Sequence, residues 1–261
     1  MRAIWTGAIG FGLVNIPVKM YSATQTSNLD LDMLDKHDNA NIRFMRVNEQ
    51  TGKEVAWGDI VKGYMLDDKY VVLNDEDFEA AAQKKSQIVE IEEFVDEQEI
   101  DSTYYEAPYF LGPAKGGEKA YALLREALAE TKKVAIGTYV MRGKEHLCML
   151  KPEGDALILV RLRFAEEIRG TAELDLPGST GIKPNELKIA KALIGQLTNK
   201  KFDIEKYKDT YHAALMKMIK AKAKGKQKVE PKFKVVRSNA KDLMAQLKAS
   251  LEGDKPKRKA S

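Results

Sequence analysis

The side chains best suited to covalent or metal chemistry are dispersed along this chain. His37, His146 and His212 fall in three separate segments, with no cysteine or carboxylate at metal-ligand spacing. Each reads as a structural or surface histidine, and no metal site is expected. Cys148 stands between Leu147 and Met149, which favours a buried thiol over a nucleophile. A single cysteine allows no internal disulfide and suits a reducing compartment. Asp75, Glu76 and Asp77 open a short helical pattern, where the helix dipole favours negative charge. Glu92-Glu93 reads as a solvated strand edge. Both explain the acids more simply than a cation site does.

Gly112-Pro113-Ala114-Lys115-Gly116-Gly117-Glu118-Lys119 lies where a strand gives way to a helix. It lacks the glycine spacing of a nucleotide loop, and Ala120 stands where Ser or Thr is required. Two readings remain: a helix start able to hold one phosphate anion, or an ordinary glycine turn flanked by surface lysines. Gly7, Gly10 and Gly12 make no dinucleotide fingerprint, because no helix follows them. With no catalytic constellation and no cofactor motif, the chain is expected to be a non-enzyme that needs no cofactor.

The chemistry that remains is ionic. From Ile219 to Ser261 there are 14 Lys/Arg against 4 Asp/Glu, whereas the preceding 218 residues carry 29 against 35. A basic tail on a weakly acidic body fits a polyanionic partner or a solubilising extension. In the body the cations come in small groups: Lys19, Arg43 with Arg46, Lys62, Lys132 with Lys133, and Arg142 with Lys144. Singly, each is a solvated charge. Together, in a strand-rich body, they are candidate phosphate contacts of a binder indifferent to sequence. Nothing resembles a recognition helix or a base-stacking platform.

The elements that must position these residues are mostly strands. Ala3–Ile16 reads as one buried, glycine-punctuated strand closed by Pro17, with Val18–Ser22 continuing as a half-buried alternation. Further candidates are 42–47, 69–73, 86–94, 104–111, 134–142, 147–151 and 156–163, separated by turns such as Asp67-Asp68. So many closely spaced strands favour an antiparallel barrel or sandwich. A short helix capped by Asn74 and a longer one over 118–131, with Ala120, Tyr121, Leu124, Ala127 and Leu128 on one face, interrupt them.

Beyond the breaker-rich 176–181, helices take over. Pro184 opens one, and Asp203 is expected to cap a second with a Tyr207, Tyr211, Leu215, Met218 stripe. A basic linker over 225–237 and a last helix over 238–251 follow, then a disordered basic end at 252–261. No run approaches the ~18 apolar residues of a membrane span, and no signal peptide is read at the start. The expected compartment is the cytoplasm, with nucleoid association.

Several stretches resemble the bacterial Ku family. They are the opening 1–19 (MRAIWTGAIGFGLVNIPVK), Trp57–Tyr64, Ile91–Val95 with Glu99-Ile100-Asp101, Gly117–Leu128, Arg142–Leu147, Glu173–Pro177 and Asp242–Leu251. The resemblance implies an α+β, mainly β protein. It would have a Ku-type β-barrel core over 1–176, with an extended bridge near 40–65 that closes a homodimeric ring around duplex DNA. A helical arm over 177–224 would embrace the partner subunit. The implied partners are double-stranded DNA ends, a second copy, and the multifunctional ATP-dependent DNA ligase of bacterial end joining. Leu243, Met244, Leu247 and Leu251 would recruit that ligase. Some relatives carry a cysteine pair near Val47–Gly52, and this chain has none there.

Overall fold

The computed structural model of the chain describes residues 1–25, 29–81, 87–178 and 181–225. Seven strands close a barrel: β1 (Trp5–Phe11), β2 (Val14–Ser22), β5 (Ile88–Asp96), β6 (Tyr105–Pro113), β7 (Lys133–Met141), β8 (Lys144–Glu153) and β9 (Ala156–Leu162). Their order around the barrel is β1-β2-β6-β9-β8-β7-β5. Every pairing is antiparallel except β1 with β5.

The strand period of two sorts β7 cleanly. Ala135 and Tyr139 pack inward with Ile9, Val18, Val89, Leu150 and Leu159, while Val134 joins Met149 and Leu162 in an outer cluster under Ile100, Tyr104 and Tyr105. Two glycines let neighbouring backbones close in. A Cβ at Gly7 would lie 2.1 Å from the Gln87 carbonyl, and one at Gly137 would lie 2.1 Å from that of Glu90. Helix α2 (Glu118–Thr131) places Tyr121, Leu124 and Leu128 in the inner cluster, as its stripe predicts. The buried Tyr121 hydroxyl donates to the Leu111 carbonyl and accepts from the Leu157 N–H, both at 2.6 Å, tying helix to barrel.

The opening departs from the single strand expected. It is a hairpin turning at Gly12 (φ +57°) and the fully exposed Leu13, with Pro17 inside β2 opposite Ala8. The missing N–H is tolerated there for a local reason. Ala8 donates away from β2, to Gln87, so the Pro17 position also faces away from β1, just past the last β2–β6 pair, Val18↔Pro113.

Between β2 and β5 the chain leaves the barrel and returns. This excursion holds the hairpin β3 (Lys62–Leu66) and β4 (Lys69–Leu73) and the helix α1 (Asp75–Ala81). Asp67 and Asp68, both at positive φ, form its turn. Strand β3 goes beyond the sequence expectation, since Gly63 dilutes its pattern. The strand expected over 42–47 is absent. Isolated pairs Leu34↔Asn41 and Val47↔Glu54 stand there, each closing a small polar loop with no neighbouring strand to extend it. Asn74 and Asp77 cap α1 reciprocally, each side chain accepting from the other's N–H at 2.9 Å.

Residues 1–170 and 171–261 form separate units. In the second, α3 (Pro184–Leu197) and α4 (Thr210–Ala223) are joined by a turn at Ile204–Lys206. Asp203 caps that turn, and the helix itself is capped by Asp209, which accepts from His212 N–H at 2.9 Å. The cap therefore sits later than expected, and Tyr207 lies ahead of the helix. No described residue of this unit is buried, and Ile194, Leu197 and Tyr211 are exposed. No helix of the described residues is long and apolar enough to cross a membrane. The predicted linker, last helix and end over 226–261, with Leu243, Met244, Leu247 and Leu251, lie outside the described residues.

Candidate nucleic-acid interface

The excursion concentrates both charge and unburied apolar surface. Among the described residues from 29 to 81 none is buried. Phe44 is 78% exposed and Trp57 75%, and Tyr64, Tyr70, Val61 and Val72 are likewise open to solvent. Polar loops hold its shape instead of a core. Asn48 Oδ1 accepts from Gln50 N–H at 3.0 Å and Thr51 N–H at 2.9 Å. Val55 N–H reaches back to the Arg46 carbonyl at 2.8 Å. An apolar surface of this extent, fixed in shape yet uncovered, marks an interface.

Arg43, Arg46 and Lys62 all lie on this excursion and all are exposed. The Arg46 guanidinium stacks over the Trp57 ring, 4.5 Å from its centroid, and the Lys62 ammonium lies 4.5 Å from the Phe78 centroid. Sequence reasoning missed both rings, because each meets its cation through a turn rather than at a helical or strand spacing.

The other candidate cations are on the barrel and are not gathered into one patch. Lys19 is exposed on β2. Lys132, in a left-handed conformation at the end of α2, and Lys133 precede the inner run of β7, and Lys133 pairs with Asp96 at 3.0 Å. Arg142 forms the β7–β8 turn and Lys144 starts β8. These two groups occupy opposite ends of β7, roughly 26 Å apart at the rise of a strand.

In the glycine-rich 112–119 loop both adjacent glycine N–H groups are occupied. Gly116 N–H is taken by the Glu118 carboxylate at 3.0 Å and Gly117 N–H by the Ala114 carbonyl at 2.9 Å, so neither of these two donors is open to an anion. Cys148 is fully buried, as its neighbours imply, and burial pushes its thiol pKa up, away from nucleophilic chemistry.

His146 is half-buried against the Tyr139 ring, in a small polar recess with Glu106, Arg161 and Lys144. Burial, and then Arg161 and Lys144, hold its pKa below the usual imidazole value. Arg161 is paired with Glu106.

A closed, mainly β barrel that throws out one long excursion, acidic in balance but bearing the exposed Arg43, Arg46 and Lys62, and is followed by a helical unit is the class these observations define. A family model described as the Ku70/Ku80 beta-barrel domain matches residues 10–191. A protein of Archaeoglobus fulgidus named Non-homologous end joining protein Ku is 42% identical over 98% of this chain and all of its own length. Proteins of the same name from Coxiella burnetii and Bacillus subtilis are each 39% identical, over 100% and 97% of this chain and 98% and 82% of theirs. The chain belongs to the Ku family.

Proposed function

We propose that the protein binds the ends of double-stranded DNA without reading sequence, as a homodimeric ring, and recruits the ATP-dependent end-joining ligase. One observation carries the reading beyond the relatives' names. The segment between β2 and β5 is shaped by its own polar loops, holds Arg43, Arg46 and Lys62 exposed, and leaves bulky apolar side chains uncovered. A second copy supplies the missing cover, and two such segments close a hoop. The exposed apolar faces of α3 and α4 suit the same role of embracing the partner.

A hoop must be threaded, so it loads at ends and not on sealed circles. Phosphates are the same at every step of the duplex, so Lys19, Arg43, Arg46, Lys62, Lys132, Lys133, Arg142 and Lys144 are its candidate contacts. We rank the excursion's exposed Arg43, Arg46 and Lys62 first among them and Lys133, paired with Asp96, last. Each phosphate contact releases counterion, so log affinity falls against log salt with a slope of about 0.9 per contact. The protein acts by binding alone, without turnover, metal or cofactor. Leu243, Met244, Leu247 and Leu251 are the candidate ligase contacts, and the cell's nucleoid is the place of action.

A gel shift comparing a linear duplex with the same DNA sealed into a circle tests the ring. Strong binding to the linear form only is expected, and equal binding to both refutes the hoop. Deleting 225–261 separates a ring from a basic-tail binder: the ring keeps its end binding, and the tail binder loses it. Leu243→Glu with Leu247→Glu is expected to abolish capture of the ligase while leaving DNA binding intact.

A further inference from the structure

Two of the excursion's cations and three of the barrel's are held by different chemistry. On the barrel, Lys133 pairs with Asp96 at 3.0 Å, Lys151 with Glu97 at 2.5 Å, and Arg161 with Glu106. On the excursion, neither Arg46 nor Lys62 has a carboxylate partner among the described residues. Each lies on an aromatic face instead, at the same 4.5 Å. A carboxylate orients a cation and cancels its charge. A ring orients it and leaves the charge in place, because the attraction comes from the ring's quadrupole. For arginine the consequence is sharper, since the planar guanidinium carries five N–H donors, of which a phosphate can accept two.

Both pairs are built by local backbone geometry. Arg46 and Val55 close the neck of the Asn48–Gly52 loop, and Trp57 follows two residues later on the single turn Trp57–Asp59. Lys62 opens β3 opposite Leu73, the last residue of β4. The Asn74–Asp77 cap then turns the chain into α1 and brings Phe78 back over Lys62. A Trp that is 75% exposed and a Phe that is 41% exposed gain little from burial at these places.

We infer that Trp57 and Phe78 are positioning residues for DNA-end binding: each fixes a phosphate-contacting cation, Arg46 or Lys62, without neutralising it. This inference rests on the end-binding reading above. It assigns the two rings a role separate from subunit contact, and it explains why uncharged, bulky side chains sit beside the excursion's cations.

The test uses the full-length protein and a linear duplex, with end affinity measured by anisotropy across a salt series. Sedimentation velocity checks that each variant keeps its assembly state. Trp57→Leu is expected to weaken end binding by about 2–5-fold per protomer, the range of an exposed cation–ring pair. Its salt slope should move toward that of Arg46→Ala. Trp57→Phe should restore most of the loss. In the Arg46→Ala background, Trp57→Leu should cost nothing further.

Equal losses from Trp57→Leu in both backgrounds overturn the inference, because the ring then acts without the arginine. So does a Trp57→Leu protein that binds like the wild type while Arg46→Ala is weakened. Failure of the underlying reading looks different: the wild type grips sealed circles as tightly as ends, or Arg46→Ala changes neither affinity nor slope, and the inference falls with it. Should Trp57→Leu lose its fold or assembly, the independent cycle of Phe78→Leu with Lys62→Ala decides by the same criteria.

Discussion

The barrel and the excursion between β2 and β5 come from one stretch of chain, yet they satisfy themselves in opposite ways. In the barrel, apolar side chains such as Ile9, Val18, Leu150 and Leu159 are fully buried, and Lys133, Lys151 and Arg161 are matched to carboxylates. In the excursion, backbone and Asx hydrogen bonds fix the shape, the apolar side chains face solvent, and Arg46 and Lys62 rest on rings. Local hydrogen bonding gives a segment its form, and only burial of apolar surface makes that form stable by itself. A segment with the first and not the second keeps an uncovered apolar surface. The barrel is a support. The excursion is the part proposed above to bind, and its Arg46 and Lys62 keep their charge unpaired.

The contrast can be broken most forcefully at glycines. Gly137→Ala forces a Cβ to within 2.1 Å of the Glu90 carbonyl where β5 and β7 meet, whereas at Gly58 nothing lies within 4 Å. Urea unfolding is expected to show a loss of more than about 4 kcal/mol for Gly137→Ala, and a change within about 0.5 kcal/mol for Gly58→Ala. A mild Gly137→Ala would mean that the barrel is looser than its register implies.

Cavity formation comes next. Leu150→Ala, at a fully buried position, should cost about 2–5 kcal/mol. Phe44→Ala, at a side chain 78% exposed, should leave unfolding at high dilution unchanged. It should instead weaken self-association, raising the concentration above which the midpoint starts to climb. A large loss for Phe44→Ala in the dilute monomer would show that the excursion has a core of its own.

Charge removal should separate the regions more gently. Lys151→Met breaks a partly exposed pair with Glu97 and should cost at most about 1 kcal/mol of stability, with no change in DNA affinity. Lys62→Met should leave the melting temperature alone and lower the salt slope of DNA binding by about 0.9 for each phosphate that the lysine neutralises. Reversed outcomes for the two lysines would invert the division of labour.

The smallest effect is a titration. Burial, with Arg161 and Lys144 nearby, holds the folded-state pKa of His146 below its ordinary value of 6.5, partly offset by Glu106. The unfolded chain therefore binds this proton more tightly than the folded one. The stabilising contribution is complete above about pH 6.5 and is lost as pH falls from there toward the lowered folded-state pKa. His146→Gln should flatten the stability profile in that window, and an unchanged slope would place the acid sensitivity elsewhere.

Much of the fold is legible in the sequence. The 69–73 strand, the 118–131 helix with its Tyr121, Leu124 and Leu128 face, and the buried Cys148 follow from local period and neighbours. The misreadings share a cause. Ala3–Ile16 is uniformly apolar, so no period marks the turn at Gly12-Leu13, and Pro17 is admissible only because β6 stops one residue short of it. Ile42–Val47 has the composition of a strand but no neighbour to pair with. For the candidate interface, residue type and order nominated eight body cations. The distances then set apart Arg46 and Lys62 of the excursion, each on a ring, from Lys133 of the barrel, paired with Asp96.

By itself the sequence determined what each segment prefers: which stretches alternate, where helices begin, where charge accumulates, and which family's series of motifs it repeats. Those are properties of neighbours along the chain, set by sterics and solvation over a few residues. Only the tertiary structure decided which strand lies beside which, that Gly7 and Gly137 stand where backbones nearly touch, and that Trp57 and Phe78 lie beneath Arg46 and Lys62. Such juxtapositions depend on closing the barrel and the small loops, a matter of three-dimensional packing that no local period encodes.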